Sequence, residues 1–171
     1  GWNFQESEAY GIPLGTLRER SDRFEEGMEV IVSLLANQET NFSGNYYELT
    51  GAWCEPKPVQ SKVPMVIGGK GRVRTLRTVA RFADQWDMTF PDDPAAWLEL
   101  DGVLRRHCER VGRDQSEIAR SIHLGFDTDS DPAALADMAD GFFDAGVDIV
   151  VWSMRGPMDA SRLEPLAAAL R

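Results

Sequence analysis

The sequence predicts an α/β fold in which parallel strands alternate with crossover helices. Two observations support this prediction. From residue 63 onward, short apolar runs alternate with longer segments in which apolar residues recur every three or four positions. This pair of patterns occurs four times in succession, with candidate strands over residues 65–67, 85–90, 118–126 and 147–152. Repeated βα order is typical of parallel sheets, either an open doubly wound sheet or part of a closed (β/α)8 barrel.

The helix that follows each strand is predicted from its apolar stripe and its end signals. Pro94 and Pro132 stand where the second and third helices are expected to begin, and Gly112 and Gly146 where they are expected to end. The stripes of the four helices are Val73, Leu76, Ala80 and Ala83; Trp97, Leu100, Leu104, Cys108 and Val111; Leu135, Met138, Phe142 and Phe143; and Leu163, Leu166 and Leu170.

The first 62 residues have a different pattern. A helix is predicted over residues 16–37, because its apolar residues lie on one stripe: Leu17, Phe24, Met28, Ile31 and Leu35. The stretch 39–62 is rich in turn residues, and residues 46–49 form a candidate short strand within it. The opening Gly1-Trp2-Asn3 contains no Met, and we expect the chain to be part of a longer protein.

Composition excludes several classes of partner. The net charge of −10 over 171 residues disfavours nucleic acid and anionic membrane surfaces. No apolar run reaches the roughly 18 residues typical of a transmembrane helix. Two cysteines and two histidines, without metal-binding spacing, predict no metal site. Two free thiols suit a reducing compartment, and we predict a cytoplasmic protein.

The strongest local signal is a glycine loop, Gly68-Gly69-Lys70-Gly71, between a strand and a helix. Such a loop exposes backbone N–H groups and lets a phosphate approach, while the helix dipole adds positive potential. Lys70, Arg72 and Arg74 add charge, and the hydroxyl of Thr75 is a further donor. The spacing fits neither the Walker A motif nor the dinucleotide fingerprint. A tight turn that needs glycine for positive φ is the alternative.

Other polar residues give weaker signals. His123 lies within a strand, where a hydrogen-bonded core histidine is favoured over a catalytic one, and His107 is expected to be solvated on its helix. The alternating aspartates of residues 127–131 lack the glycine and glutamate of a calcium loop and are interpreted as a helix-capping loop. No pair of residues is spaced for acid–base work, so the catalytic residues stay unknown.

Several segments together resemble the luciferase-like monooxygenase family. They are residues 1–3, 10–13, 17–20, 42–47, 56–60, 64–71 and 75–87. The resemblance implies a (β/α)8 barrel of which this chain is the C-terminal half. Residues 1–62 would be a helix and loop insertion after the fourth strand, and residues 63–171 would be βα units five to eight.

The resemblance also implies a cofactor at the carboxyl ends of the strands. Coenzyme F420, an 8-hydroxy-5-deazaflavin, is the predicted cofactor, and FMN is the alternative. The implied phosphate-binding residues are Gly68, Gly69, Lys70, Gly71 and Thr75. The same end of the pocket would be lined by Gly1, Trp2 and Asn3.

The predicted function is an oxidoreductase that transfers hydride between F420 and an unknown small organic substrate. An FMN-dependent monooxygenase is the nearest alternative. A non-catalytic half-barrel module and an unrelated phosphosugar-binding barrel half represent other classes. Because four strands alone leave raw edges, we expect either a homo-oligomer or a separate N-terminal half to cover them. Neither nucleic acid nor a membrane is expected as a partner.

Overall fold

The computed structural model describes residues 2–127, 129–156, 161 and 163–170. The chain divides into two compact units, residues 1–63 and residues 64–171. The assignment of the first part to an insertion after a fourth strand, and of the second to units five to eight, stays a prediction. Among the residues that the structure describes, no helix combines the length and the apolar character needed to span a membrane.

The first unit contains two helices and a β-hairpin. Its elements are α1 (Phe4–Ala9), α2 (Leu17–Ala36), β1 (Thr40–Ser43) and β2 (Glu48–Ala52), and the two strands pair antiparallel. The predicted helix over 16–37 is confirmed, with Thr16 and Glu19 forming a capping box at its start. The strand predicted at 46–49 is misplaced, because Tyr46 and Tyr47 lie before β2 begins. Neither α1 nor β1 was predicted.

The hairpin turn is held by a carboxylate from α2. Glu26 accepts hydrogen bonds from the backbone N–H groups of Asn45, Tyr46 and Tyr47 at 2.6, 2.8 and 3.2 Å. Partial burial acts to raise the pKa of Glu26, but these three donors outweigh it and hold the pKa below its ordinary value of 4.5. A Cβ at Gly44 would lie 2.5 Å from the same carboxylate, so the turn needs glycine there.

The second unit is a parallel sheet with helical crossovers. Its elements are β3 (Val66–Gly68), α3 (Thr75–Phe82), β4 (Gln85–Thr89), α4 (Pro94–Val111), β5 (Ala119–Phe126), α5 (Pro132–Asp144), β6 (Ile149–Met154) and α6 (Leu163–Ala169). The strands lie in the order β3-β4-β5-β6 and all three pairings are parallel. A doubly wound sheet reverses its strand order at a switch point, whereas this order is sequential, as in a barrel.

One face of this sheet forms the core with the helices. Trp86 on β4 and Trp97 on α4 are almost fully buried, and their rings stack at 6.1 Å with an interplanar angle of 21°. Further along the sheet, Phe126 packs with Leu135 and Leu166 from α5 and α6. The alternation of strand side chains therefore places every second residue of β4 and β5 against the helices.

The helix ends follow the predicted signals. Asp93 and Asp131 cap α4 and α5, each followed by proline, and Gly112 closes α4 with φ +68°. The interpretation of residues 127–131 as a capping loop is thus confirmed for Asp131. Val73 lies outside α3 and is exposed, so its assignment to the helix stripe was wrong.

Candidate functional site

The glycine loop lies at the carboxyl edge of the parallel sheet, because it directly follows the end of β3. Phe90, which follows β4, is held at this edge by two hydrogen bonds of its backbone. Its N–H donates to His123 O at 2.9 Å, and its carbonyl accepts from Lys70 Nζ at 2.8 Å. The guanidinium of Arg155, which follows β6, lies 5.8 Å from the centre of the Phe90 ring. Active sites of α/β barrels form at this edge.

Two glycines of the loop are required for different reasons. Gly69 has φ +131°, a conformation that L-residues rarely adopt. Gly71 has no positive φ, but a Cβ there would lie 2.5 Å from Thr75 Oγ1. The predicted tight turn with positive φ is therefore present at Gly69, whereas Gly71 is needed for the close approach of Thr75.

The strand β4 fixes Gly69 through both of its peptide groups. The N–H of Gly69 donates to Asp87 O at 3.0 Å, and its carbonyl accepts from Trp86 Nε1 at 2.9 Å. Because its N–H already donates to Asp87 O, Gly69 can contribute to ligand binding only by leaving space for the ligand. Donors for a ligand must come from the residues that follow.

The start of α3 suits an anion. Its N-cap residue is Arg74, whose side chain has no acceptor atom and cannot cap the first-turn N–H groups, and no acidic residue lies in that turn. The helices α1, α2, α4 and α5 are capped by side-chain oxygens of Asn3, Thr16, Asp93 and Asp131. The positive end of α3 thus has no side-chain acceptor of its own at the N-cap.

The basic residues beside the loop are held by local partners. Lys70 is exposed and its Nζ donates to Phe90 O. Arg72 forms a surface ion pair with Glu99 at 2.8 Å, between side chains that are half-exposed or more. Such a pair lets water and salt screen the charge. The loop 68–75 itself contains three basic residues and no acidic one.

His107 contradicts its predicted solvation. It is 8% exposed, and its Nε2 lies 2.8 Å from Arg72 O at the turn into α3. A carbonyl oxygen only accepts, so Nε2 carries the proton. No local sequence pattern predicts this contact, because the two residues lie 35 positions apart.

The sheet face opposite the helices carries a chain of polar contacts. Gln85 Nε2 donates to Ser121 Oγ at 2.8 Å, Ser121 Oγ donates to Asp87 Oδ1 at 2.6 Å, and His123 Nε2 lies 3.3 Å from the same oxygen. His123 is partly exposed on this face and does not lie in the core as predicted. Gln85 and Ser121 were not identified from the sequence as members of this polar chain. Each lies two positions before another member on the same strand, which places it on the same face, and this spacing could have indicated them.

The predicted residues of the N-terminal segment lie in the other unit. Asn3 caps α1 by accepting from Glu6 N at 3.1 Å, and Trp2 is 82% exposed. Gly1 lies outside the described residues. The expected place of these three residues beside the cofactor stays a prediction.

Residues 1–170 match the family model for luciferase-like monooxygenases. The chain belongs to this family. Among its curated relatives, an uncharacterized Mycobacterium tuberculosis protein is 32% identical over 93 residues, which is 54% of this chain and 32% of the relative. The F420-dependent glucose-6-phosphate dehydrogenase of Nakamurella multipartita is 29% identical over 166 residues, which is 93% of this chain and 47% of the relative. The chain thus spans about a third to a half of these relatives' length.

Several solved structures share the fold of this chain. An F420-dependent secondary alcohol dehydrogenase with an F420–acetone adduct matches with a TM-score of 0.78 at 15% identity, covering 96% of this chain and 66% of that one. The F420-dependent tetrahydromethanopterin reductase of Methanopyrus kandleri matches with a TM-score of 0.74 at 16% identity, covering 88% and 62%. A riboflavin lyase with modified FMN matches with a TM-score of 0.63 at 14% identity, covering 83% and 36%. The predicted fold class, α/β of the TIM-barrel type with crossover helices, is confirmed.

Proposed function

We propose that the complete protein is an oxidoreductase that uses coenzyme F420, and that residues 68–75 hold the phosphate of this cofactor. The observation that carries the proposal is the glycine loop at the carboxyl edge of the sheet, which leads into a helix start without a side-chain acceptor. The names of relatives that align with most of this chain support F420 as the cofactor. When bound, the deazaflavin would supply hydride transfer to or from a small organic substrate.

Each loop residue would have a distinct role toward the phosphate. Gly68 and Gly69 leave its approach free of side chains, and Gly71 makes room for Thr75, whose hydroxyl is a donor. Lys70 would add positive charge, although it must share its ammonium group with Phe90 O. An acidic side chain would repel the ligand, and none occurs between residues 68 and 75. The donor set therefore fits an anion.

FMN is the second candidate, because a cradle of backbone N–H groups recognises a phosphate and not the ring attached to it. One solved structure with this fold holds modified FMN. The phosphate site described above is compatible with both cofactors. Their separation depends on contacts to the ring, for which the carboxyl edge near Phe90 and the polar face near His123 are candidates.

The sheet face opposite the helices has exposed apolar side chains on its two outer strands, β3 and β6. Val66, Ile149 and Val151 are each exposed by more than a third on this face. We propose that a further part of the protein or a second copy covers it, since parallel sheets are normally covered on both faces. The two free cysteines, Cys54 and Cys108, support a reducing compartment such as the cytoplasm.

The experiment is to purify the complete protein from a host that makes both cofactors. Absorbance and mass spectrometry identify any ligand that copurifies, and titration of the ligand-free protein with F420 and with FMN ranks the two. We expect F420 to bind more tightly. Tighter binding of FMN would favour the monooxygenase alternative, and no binding of either would leave a non-catalytic or phosphosugar-binding module.

A further inference from the structure

Two buried side chains hold carbonyl groups of the loop. Trp86 Nε1 donates to Gly69 O at 2.9 Å, and His107 Nε2 donates to Arg72 O at 2.8 Å. Trp86 is fully buried and His107 is 8% exposed. One donor comes from β4 and the other from α4, so two different elements of the core reach the same short loop.

These two contacts determine where the next amide hydrogens point. In a trans peptide the C=O and the following N–H point in opposite directions. The cis peptide among the described residues is Glu55-Pro56, so the loop peptides are trans. With Gly69 O turned toward Trp86, the N–H of Lys70 points away from the core. With Arg72 O turned toward His107, the N–H of Val73 does the same.

The two residues that carry these outward N–H groups are open to solvent. Lys70 is exposed and Val73 is 73% exposed. Rotation of either peptide would leave the indole or imidazole N–H without this acceptor, which costs the desolvation penalty of a buried donor. The core therefore fixes two amide donors toward the open side of the loop before any ligand binds.

We propose that Trp86 and His107 are positioning residues of the phosphate cradle, which they preorganise by holding the carbonyls of Gly69 and Arg72. This inference rests on the proposed function. Neither side chain contacts the ligand. Their effect is to remove the entropic cost of orienting two loop peptides at the moment of binding.

Trp97 offers a matched control for Trp86. Both are buried tryptophans, and their rings stack on each other. However, Trp97 Nε1 has no hydrogen-bond partner among the described residues. Trp86→Phe and Trp97→Phe thus change the core in similar ways, but Trp86→Phe alone removes a donor to the loop. For the second position, His107→Leu removes the donor, and His107→Gln keeps an amide that can donate.

The experiment compares two ligands for each variant of the complete protein. One ligand is F420 and the other is the same deazaflavin chromophore without its phosphate, with binding followed by fluorescence. Fixing one backbone residue corresponds to about a five- to thirtyfold change in affinity, which is the loss we expect for F420 in Trp86→Phe and in His107→Leu. Binding of the phosphate-free form should be unchanged, and Trp97→Phe and His107→Gln should stay near wild type for both ligands.

The outcomes separate this inference from the function on which it rests. Equal affinity of the wild-type protein for the two ligands would overturn the proposed phosphate site itself. If the wild-type protein prefers F420 and Trp86→Phe keeps that preference in full, the positioning role is wrong while the site stands. Parallel losses for both ligands would also overturn it, because general damage to the core does not distinguish a phosphate.

Discussion

Replacement of Gly69 by alanine is the sharpest structural test of the loop. Its φ of +131° belongs to a region that is essentially restricted to glycine. The added Cβ would also lie 3.0 Å from Thr75 Cγ2, closer than ordinary contacts between carbon atoms. The variant therefore faces a choice between a strained backbone and a rearranged loop.

Both responses have a similar free-energy cost. If the backbone keeps its conformation, the strain amounts to about 1–3 kcal/mol. If the loop rearranges, it loses the hydrogen bonds of Gly69 with Asp87 O and Trp86 Nε1, each contributing roughly 0.5–1.5 kcal/mol. We therefore expect the free energy of unfolding to fall by about 1–3 kcal/mol. For a chain of this size, each kcal/mol lowers Tm by about 2–4 °C.

The assay is urea unfolding of three variants beside the wild-type protein. Gly102→Ala is the control, because Gly102 lies inside α4 and its added Cβ meets only Arg106 Nη1 at 3.7 Å. That change should stabilise the protein by up to about 1 kcal/mol. Adding Thr75→Ser to Gly69→Ala removes the Cγ2 contact but not the φ strain, so recovery should be incomplete. A Gly69→Ala variant as stable as the wild-type protein would show that neither the φ of Gly69 nor its two hydrogen bonds contribute to stability.

Three further predictions concern the two units. Asp101→Ala should lower the free energy of unfolding by about 3–5 kcal/mol in urea titrations, because it leaves the buried guanidinium of Arg120 without its carboxylate at 3.0 Å. An unchanged urea midpoint would contradict this expectation. Glu26→Gln should lower Tm at neutral pH, and the difference from wild type should shrink as the pH falls below 4.5. The reason is that the lowered pKa of Glu26 contributes stability only while the group is ionised. A difference in Tm that persists in acid would exclude this cause. Burial raises the pKa of Cys108, whereas Cys54 is half-buried. A thiol reagent should therefore label only Cys54 in the folded protein and both cysteines in denaturant. Rapid labelling of both in the folded protein would be inconsistent with the packing of α4.

The order of βα units could be predicted from the sequence because local patterns encode it. The apolar runs at 65–67 and 85–90 and the Asp-Pro and Gly signals around α4 each depend on neighbours within a few residues. Elements without such a pattern were missed. The strand β1 has only four residues, and the turn before β2 depends on Glu26, about twenty positions upstream. No local signal marks a contact of that kind.

The candidate site also has a part that the sequence predicts and a part that it does not. Glycines between a strand and a helix are visible in the sequence, and the loop is where they indicate. The partners that orient it are not visible: Trp86 lies 17 positions from Gly69, and His107 lies 35 positions from Arg72. From sequence alone, a histidine on a helix is predicted to be solvated, and only the tertiary structure shows that a carbonyl packs against it. Long-range hydrogen bonds of this type follow from packing and not from spacing.

A crystal structure of the complete protein with its coenzyme bound would show directly whether the loop holds the phosphate. We expect phosphate oxygens at about 2.7–3.2 Å from the backbone nitrogens of Lys70 and Val73. A phosphate bound elsewhere, with those two amides facing water, would contradict it.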